Sequence, residues 1–136
     1  MKRPVGVTIL AVIAILYGIF SLLLALLGLL GTGLAASGVG HVKYAVGTLV
    51  YATISDAVLG ILYLAFGIGA FSLKGWAWTA GVVGHVLEVV HQIGGVFIQG
   101  LTASKIVVAV IVIVIALLLL WYLFRPNVRA AFGKAA

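Results

Sequence analysis

The segment ASKIVVAVIVIVIALLLLWYLF, residues 103–124, decides the fold. From Ile106 to Leu120 it is Val, Ile, Ala and Leu throughout. About 20 such residues, wound as a helix, cross a hydrocarbon core of roughly 30 Å. A helix is the spanning form that fits, because a run this continuous lacks the in-out alternation of a membrane barrel. Three further stretches are long and apolar enough to cross: Val5 to Gly31, Thr48 to Leu73 and Trp76 to Ile98. The chain therefore reads as all-α, a polytopic membrane protein of four antiparallel transmembrane helices. It forms a single domain over residues 1–136, with spans at about 5–31, 48–73, 76–98 and 103–124. Residues 125–136 are left as a cytoplasmic interfacial tail.

Composition agrees and narrows the function. The 136 residues are 65% hydrophobic and 7% charged, with a mean hydropathy of +1.41. That is no soluble domain, and the short connections leave no room for a soluble catalytic module. Absence of cysteine excludes disulfides, thiolate metal sites and thiol redox chemistry. The net charge of +6 does not point to nucleic acid, because the basic residues stand at span ends, where they anchor and orient a membrane protein. Lys2 and Arg3 precede the first span as in a signal peptide. Its apolar run, however, is about twice the usual 7–15 residues of a signal core, so a retained helix is expected.

Four spans place both ends and the connection between helices two and three on one side. That side holds Lys2, Arg3, Lys74, Arg125, Arg129 and Lys134, against Lys43 and Lys105 opposite. The positive-inside rule then sets both termini in the cytoplasm, as expected of a multi-pass protein of the cell membrane.

Small residues mark the packing faces. In helix one, Ala11, Ala14, Gly18, Ser21, Ala25, Gly28 and Thr32 recur in steps of three and four. Helix two carries Asp56, Gly60, Tyr63, Gly67 and Ala70 at the same rhythm. Such seams let helix backbones approach closely, which is what drives association in lipid. The connection Ser72 to Gly75 is short enough to demand a hairpin, and Trp76 and Trp78 anchor helix three at the interface. Helix four has no polar stripe and is expected to face lipid or a partner subunit. Gly31 to Gly47, with His41, Lys43 and Tyr44, reads as an outer loop or a frayed start to helix two. In the tail, Val128, Ala131 and Phe132 share a face that suits a membrane surface, with Arg125, Arg129 and Lys134 on lipid phosphates and Gly133 as the stop.

Helix three differs from the others. Gly81, His85, Glu88, Gln92, Gly95 and Gln99 recur at steps of four and three, so one side of an apolar span is polar or small. Asp56 lies roughly 12 Å below Thr48, and Glu88 roughly 18 Å above Trp76, at 1.5 Å per residue. In a core of about 30 Å those heights coincide. Asp56, His85, Glu88, His91 and Gln92 are thus expected to form one intramembrane polar cluster. No Lys or Arg lies at that depth, so the carboxylates are either protonated or beside a charged histidine, a cation or water.

Four readings follow. The polar groups hydrogen-bond between helices and specify packing; or Glu88 and Asp56 couple proton movement to transport of an ion or small molecule. In a third, His85 and His91 each ligate a haem or a chlorophyll. The fourth takes Glu88-x-x-His91 as half of a di-metal carboxylate motif, with His85, Glu88 and His91 as metal candidates. The run is not His-Glu-x-x-His, so a zinc protease is unsupported.

The opening Lys2-Arg3-Pro4-Val5-Gly6-Val7-Thr8 resembles that of a family of small, uncharacterised four-span prokaryotic integral membrane proteins. So do the turn Gly75-Trp76-Ala77-Trp78 and the closing Phe124-Arg125-Pro126-Asn127-Val128-Arg129. The resemblance implies the four-helix topology and no activity. The reading taken forward is a non-enzymatic structural or accessory component without cofactor. It packs through seams that include Gly18, Ser21, Ala25, Gly28, Gly60 and Gly67, and its partners are the bilayer and itself or other membrane subunits.

Overall fold

The computed structural model describes residues 2–38 and 46–134, so His41, Lys43 and Tyr44 lie outside the described residues. The helices are α1 (Val5–Ala36), α2 (Val46–Phe71), α3 (Gly75–Gln99), α4 (Ala103–Leu123) and a short α5 (Pro126–Ala131). No strand occurs among the described residues. The first four are long and apolar enough to cross a membrane. α1 continues past Gly31 into what the sequence reads as a loop. Leu29, Leu30 and Leu34 are exposed there, and an apolar backbone in lipid must keep its hydrogen bonds internal.

The α1–α2 packing is the most extensive, followed by α2–α3 and then α3–α4. The α1 seam explains the first of these. Val7, Ala11, Ala14, Gly18, Ser21 and Ala25 are buried, whereas Ile13, Leu16, Leu23 and Leu27 around them are exposed. At Gly18 an added Cβ would stand 2.9 Å from the Gly60 carbonyl oxygen and 2.9 Å from the Leu64 nitrogen. At Gly67 it would stand 2.8 Å from the Ala11 carbonyl oxygen and 2.5 Å from Ile15 Cγ1. The two backbones touch, and glycine is what permits it. Gly28 likewise meets Thr53.

The end of the bundle that carries Arg3, the α2–α3 turn and α5 is tightly closed. α2 stops in a Schellman turn, in which Lys74 N–H donates to the Gly69 carbonyl and Leu73 N–H to that of Ala70. Leu73 accordingly has a positive φ of 50°. Arg3 Nη1 donates to the Phe71 carbonyl at 2.6 Å, where a cation complements the negative end of α2. Its guanidinium also lies over the Phe71 ring, 4.8 Å from the centroid. Trp78 Nε1 donates to the Leu123 carbonyl at the end of α4, at 2.8 Å.

The tail corrects the sequence reading. The face formed by Val128, Ala131 and Phe132 is buried, and Val128 and Phe132 join Val7, Leu123, Ala70 and Ala77 in the hydrophobic core. It packs on the bundle end rather than on lipid, and Arg129 and Lys134 both stand 5.7 Å from the Trp78 ring centroid. Gly133, at φ 69°, closes α5 with a second turn of the same type.

Gly18→Ala and Gly67→Ala are expected to wedge α1 from α2 and destabilise the protein by about 1–3 kcal/mol each. Gly31→Ala, where a Cβ meets nothing within 4 Å, is expected to be neutral or stabilising. Titrating detergent-solubilised protein with dodecyl sulfate and following helicity and tryptophan emission checks the contrast.

Candidate functional site

Polar side chains of α3 meet tyrosines from the two preceding helices. Gly81 lets α2 come close, since a Cβ there would stand 2.6 Å from the Phe66 ring. With Phe66 buried against it, the next turn of α3 brings His85 under Tyr63. The Tyr63 hydroxyl pairs with His85 Nδ1 at 2.8 Å. One turn further, the Tyr17 hydroxyl of α1 donates to Glu88 Oε2 at 3.2 Å, and Gln92 Nε2 donates to Glu88 Oε1 at 2.7 Å. Tyr17 and Tyr63 themselves meet edge to face, 4.9 Å between centroids.

The α3 stripe is thus graded in depth. Gly81, His85 and Glu88 are buried, Gln92 and Gly95 half-buried, and Gln99 exposed. His91 sits on another side, its ring stacked on Tyr51 at 5.4 Å, while the Tyr51 hydroxyl donates to the His91 carbonyl at 2.8 Å. Asp56 is half-buried and, among the described residues, takes no part in these hydrogen bonds. Of the five residues expected to cluster, Glu88 and Gln92 bond to each other and are linked to His85 through the touching rings of Tyr17 and Tyr63. His91 pairs with Tyr51, and Asp56 is in none of these hydrogen bonds.

α1 and α4 approach at one end, where the Tyr122 side chain lies against Gly6. Elsewhere they leave a half-open cavity of about 250 Å³. Leu10, Ile13, Val112, Ile115 and Leu119 form its apolar walls, and Tyr17, Tyr63, His85, Glu88 and Gln92 its polar side. Glu88 is only 3% exposed, and its oxygens are met by neutral donors alone. His85 Nε2 is buried without a partner.

These contacts bear on the cofactor readings. Among the described residues, no three His, Asp or Glu side chains gather as metal ligands. Within Glu88-x-x-His91, Glu88 bonds to Tyr17 of α1 and His91 stacks on Tyr51 of α2. His85 keeps one free ring nitrogen, but the cavity beside it falls below the roughly 300–1,000 Å³ of sites for drug-sized ligands.

Tyr17 and Tyr63 are the partners to note. Tyr63 already stands in the helix-two seam, but Tyr17 is a residue that sequence reasoning overlooked. Its depth is the signal: it lies twelve residues after Val5, and Glu88 thirteen after Gly75, so both are roughly 18–20 Å along their helices. Comparison of the chain with protein-family models, with characterised proteins and with solved structures finds no match.

Tyr63→Phe is expected to destabilise more than Tyr17→Phe, by about 1–3 kcal/mol against about 1 kcal/mol or less. The first leaves both nitrogens of a buried histidine without a partner, whereas Glu88 retains Gln92. The same unfolding titration, with the double variant included, measures the difference.

Proposed function

We propose that this protein is a non-enzymatic structural or accessory component of a membrane, assembling through its helices with itself or with a larger membrane complex. The observation that carries this reading is the pairing of α3 with tyrosines of α1 and α2. Polar groups engaged in this way specify one packing arrangement in a medium that offers no hydrophobic drive between helices. The outer faces of α1 and α4 remain broadly apolar, with Leu16, Leu27, Val107 and Leu118 among the exposed residues. They are available to lipid or to further subunits.

In this reading the four helices are antiparallel, in keeping with the successive contacts Gly67–Ala11, Gly18–Gly60 and Gly28–Thr53. Both termini are cytoplasmic, because Arg3, Lys74, Arg125, Arg129 and Lys134 belong to the end carrying the α2–α3 turn and α5. The cell membrane is its location, and the resemblance to small four-span prokaryotic membrane proteins is consistent with this topology. Proton-coupled transport is the second reading, favoured by a carboxylate beside a half-open cavity. Glu88 rather than Asp56 would carry it.

Reporter fusions at residues 2 and 134 are both expected to score cytoplasmic. Native mass spectrometry from mild detergent is expected to show a discrete oligomer or a stable complex, retained in Glu88→Gln. A strictly monomeric chain whose reconstituted vesicles show a pH-gradient-driven flux, lost in a folded Glu88→Gln variant, would overturn the structural role in favour of transport.

A further inference from the structure

We propose that the cavity between α1, α3 and α4 binds a small lipophilic ammonium ion, with Glu88 as its counter-charge. This goes beyond the assembly role and does not depend on it. The walls contributed by Leu10, Ile13, Val112, Ile115 and Leu119 are apolar, so the body of the ligand must be apolar too. The cavity is half-open at the side of the bundle, where a ligand dissolved in the bilayer arrives without crossing the protein. Its volume of about 250 Å³ suits a short aryl-alkyl amine rather than a lipid or a tetrapyrrole.

The polar side calls for a cation. Glu88 is buried, and Tyr17 and Gln92 give it hydrogen bonds but no positive charge. The described residues that line the cavity include no Lys or Arg, and Lys105 of α4 donates to the Gln99 carbonyl instead. An ionised carboxylate at membrane depth gains most from an opposite charge brought in with the ligand. Aromatic rings strengthen the choice, since Tyr17, Tyr63 and Phe66 also line the cavity and their faces attract an ammonium group. His85 Nε2, buried and unpartnered on the same lining, accepts an ammonium N–H in the tautomer whose proton is on Nδ1. A neutral apolar ligand would use the walls and leave the carboxylate and this nitrogen unanswered.

The test is calorimetric titration of the full chain in mild detergent near neutral pH. Phenethylammonium is the probe, propylbenzene its neutral counterpart, and empty micelles the blank. Saturable binding of phenethylammonium is expected, weakened at least tenfold by Glu88→Gln, with propylbenzene binding more weakly and indifferent to that substitution. Val112→Phe narrows the cavity from the α4 wall while every residue of the polar network stays in place, and is also expected to weaken phenethylammonium at least tenfold. It decides the matter alone if Glu88→Gln does not fold. The proposal is overturned if the native protein shows no saturable binding, or if both probes bind alike. It is equally overturned if folded Glu88→Gln or Val112→Phe leaves the ammonium affinity unchanged.

Discussion

The backbone contact between α1 and α2 is the constraint on which the rest depends. With glycine at positions 18, 60 and 67, carbonyl oxygens of one helix meet backbone atoms of the other. That approach sets the spacing at which Tyr17 and Tyr63 meet edge to face. It also fixes where their hydroxyls fall. A side chain one carbon larger at the seam would move α1 outward, and the Tyr17 hydroxyl would leave Glu88. Helix approach and the Tyr17–Glu88 hydrogen bond therefore rest on the same glycine seam.

Within this frame the three polar pairs of α3 do different work. His85 and Tyr63 lie among the most buried groups and are surrounded by Phe66 and the α1 seam, so their bond fixes α3 against α2. The Glu88 group bridges to α1 and opens on the cavity. His91 and Tyr51 stack nearer the outer end of α3, where burial is falling away. The Glu88 group combines a carboxylate with an opening, and His85 lines the same cavity.

The number and type of the spanning helices were legible in the sequence because lipid leaves few choices: a long apolar run must close its own hydrogen bonds. The face of α3 was legible for a related reason, since Glu88 and Gln92 at four residues apart must be neighbours. Partners across helices were not. A seam of small residues recurs every few residues, so the slide of one helix along another is not encoded in its rhythm. Tyr17 was hidden because its neighbours at three and four residues, Ile13, Ala14, Phe20 and Ser21, mark no polar stripe. Asp56 matches Glu88 in height, but height alone does not say which groups share a hydrogen bond. The tail was misread because an apolar face such as that of Val128 and Phe132 suits a membrane surface and a protein core equally well.

The unequal lengths of the helices have a consequence for the bilayer itself. The apolar window of α1 runs 30 residues, Val5–Leu34, against 21 for α4, or roughly 45 Å against 32 Å at 1.5 Å per residue. One flank of the protein matches an ordinary hydrocarbon core of about 30 Å, and the other exceeds it. In a bilayer such an excess is absorbed by helix tilt or by stretched acyl chains. The molecule thus presents lipid with a lopsided rim. Two copies that bring their thick flanks together remove that elastic cost, so bilayer thickness becomes a variable that acts on this protein without any specific contact.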